Sequence, residues 1–210
     1  MSMRVAVFGS GRGSNLAALL QRLGPDAPAR VVLVGSNRPD AGALEIARAA
    51  GLPAVVLKNS AESAEWLALL ERWRVELVVL AGYLKHVPAP VVAAYRGRII
   101  NIHPALLPGH GGPGMYGLRV HGEVLATGDR ESGATVHLVT EEYDQGPILG
   151  QARVPVLPGD TPERLAARVL EVEHRLLPAA VLAAARAGRP VAFALDQSVS
   201  PAGSTLHSAL

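Results

Sequence analysis

The chain contains no cysteine. Disulfides, thiolate nucleophiles and Cys-ligated zinc sites are therefore excluded. It also lacks any apolar run of about 18 residues, the length a membrane span requires, so no span is expected. The opening Met1-Ser2-Met3-Arg4 leads straight into Val5-Ala6-Val7-Phe8. That run is too short for a signal peptide and reads as a first strand, so a cytoplasmic protein is expected. Lysine is nearly absent, with Lys58 and Lys85 alone. The net charge is only +2, and the arginines are scattered rather than interleaved with aromatics. No nucleic-acid groove is expected from that pattern. There is no Gly-x-Ser-x-Gly elbow for a covalent serine mechanism. There is no His-Glu-x-x-His, and His86, His110, His174 and His207 form no ligand pattern, so no catalytic metal is expected.

What is present is a 210-residue chain, 49% hydrophobic, whose apolar residues come in short runs between Gly, Pro and charged residues. Such a length suits one large domain with a sizeable core. Strands are expected at Arg4–Phe8, Arg30–Val34, Ala54–Leu57, Leu77–Ala81 and Arg98–Ile102. Helices are expected between them. One carries Leu16, Leu19, Leu20 and Leu23, the next covers Ala43–Ala50, and a third buries Trp66, Leu69, Leu70 and Trp73 at helical spacing. A short one covers Val91–Tyr95. Fully apolar strands alternating with helices indicate an α/β fold with a mostly parallel sheet covered on both faces.

The second half differs. Pro104–Gly117 is rich in Gly and Pro and reads as loop, followed by a short helix over His121–Thr127. Ala134–Val139 and Ile148–Val156 read as an antiparallel pair. Thr161 is a suitable N-cap, with Pro162 at the first helical position and Glu163 in the first turn. Leu165, Val169, Val172 and Leu176 form the stripe of the long helix that follows, and Pro178 is expected to kink or interrupt it. A final strand is expected at Val191–Leu195, then a mobile tail over 196–210.

Three stretches carry chemistry. Gly9-Ser-Gly11-Arg-Gly13-Ser-Asn15 sits between a strand and a helix, where backbone N–H groups and the helix N-terminus favour an anion. It departs from the dinucleotide fingerprint, and Gly35-Ser36-Asn37-Arg38 offers no acid at the end of the second strand. Arg38 suits a 2′-phosphate, so a dinucleotide-dependent oxidoreductase stays open. So do a non-catalytic nucleotide module and a plain strand-to-helix turn. Asn101 and His103 are two apart in a strand, hence on one face, at its carboxyl end. An amide donor beside an imidazole suits acyl chemistry, because one can stabilise an oxyanion and the other move a proton. The alternative is a polar pair capping a strand end. Glu141-Glu-Tyr-Asp144-Gln-Gly146 reads either as a solvated acidic turn or as the source of a carboxylate for the histidine. Glu173 lies among Val169, Leu170, Leu176 and Leu177 on the long helix, a costly place for a charge without a partner. Its partner is either a substrate amine or a neighbour such as His174 or Arg175. His137 reads as structural, and His121 is undecided.

Five segments occur in order: Gly11-Arg-Gly13-Ser-Asn15-Leu16, Ala81-Gly82-Tyr83-Leu84, Asn101-Ile-His103-Pro104-Ala-Leu-Leu-Pro108, Gly133-Ala-Thr-Val-His137 and Asp144-Gln-Gly146-Pro147-Ile148. The series resembles the phosphoribosylglycinamide formyltransferases, and the likeness runs from about Arg4 to about Arg189. It implies a Rossmann-like formyltransferase fold with an antiparallel C-terminal portion, in a single domain over 1–195. Residues 1–103 would form the phosphate-binding half and 104–195 the folate-site half. It implies formyl transfer from 10-formyltetrahydrofolate, as co-substrate, to the amine of glycinamide ribonucleotide, by direct amine attack. Asn101, His103 and Asp144 would be catalytic. Gly13, Ser14 and Asn15 would bind the substrate phosphate, and Glu173 its glycinamide end. The folate would lie along Leu84, Lys85, His86 and Val87, at Asn101, and against Thr140, Glu141, Glu142, Tyr143 and Asp144. The related transfer-RNA and hydrolase families carry an additional domain, for which 210 residues leave no room. Partners are then small molecules, and the protein a monomer or homodimer. A formyltransferase for another amine remains the nearest competitor.

Overall fold

The computed structural model describes residues 2–195. The expected mobile tail at 196–210 lies outside the described residues. The elements are β1 (Met3–Phe8), α1 (Ser14–Arg22), β2 (Ala29–Ser36), α2 (Gly42–Ala49), β3 (Ala54–Val56), α3 (Ser63–Arg72), β4 (Leu77–Ala81), α4 (Ala89–Ala94), β5 (Ile99–His103), α5 (Leu118–Thr127), β6 (Glu131–Leu138), β7 (Ile148–Pro155) and α6 (Pro162–Ala187).

The strands form one seven-stranded sheet in the order β3-β2-β1-β4-β5-β6-β7. The first five strands are parallel to one another. β6 then runs antiparallel to β5, and β7 antiparallel to β6. The expected α/β architecture with its antiparallel C-terminal portion is what forms. Side-chain parity divides the core in two. Val5, Val7, Leu77, Val79, Ile100 and Ile102 face α1, α2 and α6 through Leu16, Leu19, Leu44, Leu165, Val169 and Leu176. Ala6, Phe8, Val78, Leu80 and Ile99 face α3 and α4 through Trp66, Leu70, Val91 and Val92. Trp66 stacks on Phe8 at 4.1 Å between ring centroids, and Tyr83 meets both edge-on. Alternation along β5 puts Asn101 and His103 on the same face as Ile99. They lie past the end of the α3–α4 core.

Two expected features, an interruption at Pro178 and a last strand, do not form. Pro178 does not interrupt α6, which runs unbroken from Pro162 to Ala187. A proline inside a helix costs about 3 kcal/mol. Leu176, Leu177, Ala180 and Val181 around it are all buried. Each large apolar side chain there contributes roughly 1.5–3 kcal/mol on burial, which outweighs the loss. The segment Val191–Leu195 forms no strand. Phe193 N–H donates to Leu149 O at 2.9 Å, and its ring covers Gly150. One hydrogen bond and one docked ring hold the segment to the β7 edge, without the repeated pairing of a ladder. No helix among the described residues is long and apolar enough to cross a membrane.

The start of α6 is fixed by charge as well as by its Thr161 cap. The Asp160 carboxylate accepts from both Arg168 guanidinium nitrogens, at 2.7 and 2.9 Å, and from Leu157 N–H at 2.8 Å. The Arg168 hydrogen bonds, with help from Leu157, lower its pKa from 3.8 to about 2. A carboxylate depressed in the folded state stabilises above its unfolded pKa, and that stability is lost as pH falls through the folded value. Asp160→Asn is therefore expected to lower Tm at neutral pH. The gap to wild type should close as pH drops from about 4 toward 2. Paired thermal melts across that range check it, and a gap independent of pH would contradict the assignment.

Candidate active site

The carboxyl ends of β1, β4 and β5 open beside one another, where doubly wound sheets place ligands. From them run the loop before α1, the segment Gly82–Val87 and the loop after His103. The 139–146 segment after β6 closes the far side. The last three of these line a cleft of about 230 Å³ that holds Asn101, His103, His137 and Asp144 at its base.

The base of the cleft is a tight polar cluster. Asp144 takes the left-handed conformation, φ 55°. Its Oδ2 accepts Gly112 N–H at 2.9 Å and lies 3.6 Å from His103 Nδ1. Its Oδ1 lies 3.4 Å from His137 Nε2. Asn101 Nδ2 is 3.1 Å from the same His137 nitrogen. The outer nitrogen of each imidazole reaches a backbone carbonyl: His103 Nε2 meets His110 O at 2.9 Å, and His137 Nδ1 meets Leu138 O at 2.8 Å. A carbonyl only accepts, so both outer nitrogens carry hydrogen, and the inner nitrogens are aimed at the carboxylate and the amide.

The electrostatics are in tension. Burial pushes the His103 pKa below its ordinary 6.5, and the nearby Asp144 carboxylate opposes this without winning. The expectation that Asp144 raises the histidine pKa thus holds for the pair interaction, while desolvation sets the net direction. Burial alone would raise the Asp144 carboxyl, but the adjoining His137 and His103 rings and Gly112 N–H together hold it below 3.8. Burial thus favours the neutral imidazole while the carboxylate 3.6 Å away favours the charged one.

The upper walls are apolar and aromatic. Leu84, Lys85, His86 and Val87 line one side, and Thr140, Glu142 and Tyr143 the other. His86 bridges them: Nε2–H donates to Glu141 O at 2.9 Å, and its ring meets Tyr143 edge-on at 4.9 Å. Glu141 thus contributes a backbone oxygen that pins the wall. The 109–117 loop adds Pro113, Met115 and Tyr116 to the rim. Leu84, Tyr116 and Tyr143 remain exposed, as suits surfaces awaiting a flat ligand.

The glycine-rich loop lies outside this lining but is tied to it. Gly13 caps α1 at φ 82°, and a Cβ there would sit 2.6 Å from Ala43 Cα, so only glycine fits. Ser14 opens the helix, and its first turn carries no acid. Asn15 Nδ2 donates to Glu173 Oε2 at 2.6 Å, across 158 positions of sequence. The partner of Glu173 is therefore Asn15, rather than His174 or Arg175. Burial raises the Glu173 pKa, with the Asn15 hydrogen bond opposing. Asn15 Oδ1 is buried with no protein partner. One polar pair, half satisfied, thus joins the helix N-terminus to α6.

Sequence reasoning brought Asn101, His103 and Asp144 together correctly but missed two contributors. His137, read as structural, touches both Asp144 and Asn101. Its register was the available signal, because it pairs directly with Asn101 across β5 and β6. Ser10 was passed over inside the glycine-rich loop. Its hydroxyl donates to Asn37 Oδ1 at 2.6 Å and accepts Leu84 N–H at 2.9 Å, so it ties the glycine-rich loop to the cleft wall. His121, undecided from sequence, is buried beside His103 with Nδ1 unpartnered. Burial lowers its pKa to about 4. No cluster of His, Asp and Glu suited to a metal occurs among the described residues.

A neutral buried histidine contributes stability above its unfolded pKa of 6.5, and that stability is lost as pH falls toward the folded value. Imidazole NMR titration is therefore expected to find His121 neutral until about pH 4, with stability declining between about 6.5 and 4. A His121 midpoint at 6.5 would show a hydrated ring.

Comparison with known proteins agrees with this geometry. The family model described as formyl transferase matches residues 3–181. The chloroplastic phosphoribosylglycinamide formyltransferase of Arabidopsis thaliana is 45% identical over 181 residues, covering 82% of this chain and 62% of that one. The chain thus spans about three fifths of that relative's length. The phosphoribosylglycinamide formyltransferase of Escherichia coli (strain K12) is 38% identical over 183 residues, covering 84% of each. The crystal structure of glycinamide ribonucleotide transformylase 1 from Symbiobacterium toebii superposes with a TM-score of 0.82 at 39% identity, over 90% of this chain and 94% of that one. With the Asn101–His103–Asp144 cluster in one cleft and a family match across most of its length, the chain belongs to the formyl transferase family, among the phosphoribosylglycinamide formyltransferases.

Proposed function

We propose that the chain transfers a formyl group from 10-formyltetrahydrofolate to the amine of glycinamide ribonucleotide, a step of purine synthesis. The observation that carries this reading is the convergence of an amide, two imidazoles and a carboxylate at the base of one apolar-walled cleft. A flat heterocycle suits the walls of Leu84, Val87, Val139 and Tyr143. Lys85 is the cation at the rim for the folate carboxylates. The co-substrate supplies an electrophilic formyl carbon, and the substrate amine attacks it directly.

Each residue then has a role. Asn101 donates its amide hydrogen to the carbonyl oxygen as negative charge develops there. His103 becomes the imidazolium that stabilises the same oxygen, since a charge arriving in the cleft reverses the desolvation that keeps the ring neutral. Asp144 holds the imidazolium and takes up the amine proton, directly or through water. Collapse of the tetrahedral carbon breaks the old C–N bond, and the leaving nitrogen regains a proton. Gly13, Ser14 and the α1 N-terminus hold the substrate phosphate. Glu173, already oriented by Asn15, holds the glycinamide end, and the free Asn15 Oδ1 is a second acceptor for it.

A formyl-transfer assay with both small molecules tests the reading. Wild type should turn over. Asp144→Asn should lower kcat by about 10²–10⁴ with little change in KM, the range for losing an acid–base group. Undiminished activity would remove Asp144 from the mechanism. Asn15→Leu separates a ribotide from another amine: it should raise KM for glycinamide ribonucleotide steeply. An unchanged KM would point to a substrate that ignores the phosphate loop.

A further inference from the structure

The segment His110–Gly112 holds both members of the proton-handling pair. His110 O accepts His103 Nε2–H, and two residues on, Gly112 N–H donates to Asp144 Oδ2 at 2.9 Å. Between them Gly111 packs so closely that a Cβ would meet Leu107 Cδ2 at 2.6 Å and Asp144 Cβ at 3.1 Å. The relative orientation of His103 and Asp144 is therefore inherited from this short loop.

What holds the loop is a side chain outside the cleft. His110 Nε2 donates to Asp129 Oδ2 at 2.6 Å. Asp129 follows Gly128, the left-handed C-cap of α5, in the turn into β6. His110 itself has φ 54°, a left-handed conformation that glycine adopts freely and histidine does not. Its neighbours Gly109, Gly111 and Gly112 show that glycine is freely used here. A histidine held at positive φ among glycines is explained by what its imidazole does. The imidazole is clamped to an anchor on a rigid turn, and it carries its own carbonyl onto His103.

We propose that His110 is a positioning residue for formyl transfer: its clamp to Asp129 sets the loop whose carbonyl and amide orient His103 and Asp144. The inference deepens the formyl-transfer reading and rests on it. His110 touches no reacting atom. Its effect is on the placement of His103, so it should act on the chemical step rather than on substrate affinity.

The test uses the full chain. His110→Gly keeps the backbone conformation and removes the clamp, and Asp129→Ala removes the anchor. Both should fold with a Tm close to wild type and lose between about tenfold and a hundredfold in kcat, the scale of an ångström misplacement. KM for both small molecules should hold. The double variant should lose no more than either single one, because both break one contact. Imidazole 15N spectra of unliganded wild type should show His103 fixed with hydrogen on Nε2, and His110→Gly should average its tautomers. Wild-type kcat in both variants, or losses that multiply in the double one, would overturn the proposal. So would an unchanged His103 spectrum in His110→Gly. Failure of wild type to transfer formyl would instead refute the functional reading, and the spectra would still decide whether His110 fixes His103.

Discussion

The Asp144 carboxylate sits largely out of water, and the surrounding structure is organised by what that requires. A buried carboxylate without donors is costly, by several kcal/mol or more. Gly112 N–H supplies a donor, and contacts reach Asp144 from three directions. Gly112 N–H comes from the loop after β5, His103 from the end of β5, and His137 from β6. None of these lies near Asp144 in sequence except His137. The carboxylate is thus the point at which the parallel half of the sheet, the long glycine-rich loop and the antiparallel half are fastened together. The same contacts place it against the imidazole it is proposed to serve.

That arrangement depends on the change of strand direction at β5. A parallel continuation would have carried the chain away from the ligand end through another crossover helix. Running β6 antiparallel instead sets His137 directly across from Asn101, and Thr135 across from His103. Thr135 then supports the floor below the histidine. Its hydroxyl donates to Ala105 O at 2.7 Å and accepts Leu107 N–H at 3.0 Å. Two strands laid side by side in opposite senses bring four polar side chains to one end of the sheet. Parity alone could place only two of them there.

The parts legible from sequence are those with a short-range signature. Apolar runs and helical spacing located the strands and helices to within a few residues. Period two put Asn101 and His103 on a common face. What escaped is long-range. Nothing near Glu173 announces that Asn15, 158 positions earlier, is its partner. The clamp of His110 to Asp129 depends on a loop doubling back onto the end of α5. Pro178 was misjudged because a local rule, the missing N–H, was weighed without the core contacts that override it. Val191–Leu195 has the composition of a strand, yet one ring over Gly150 satisfies it. The resemblance supplied Asp144, which local physics left between a solvated turn and a catalytic group.

The two ligand regions meet through backbone and hydroxyl contacts rather than through shared side chains. Ser10 N–H donates to Gly82 O at 3.0 Å, and the Ser10 hydroxyl accepts Leu84 N–H. The glycine-rich loop and the loop that walls the cleft are therefore one hydrogen-bonded unit. On the opposite flank, Asn15 and Glu173 join the α1 N-terminus to α6, which packs on β6 and β7. A reaction between two bound molecules gains most when their separation is set before they arrive. Here that separation is built into β1 and β4, adjacent strands in fixed register, with Val7 beside Val79 and Phe8 beside Leu80. In the proposed reaction the side chains select and activate the substrates, while the distance between the two loops is a property of the sheet.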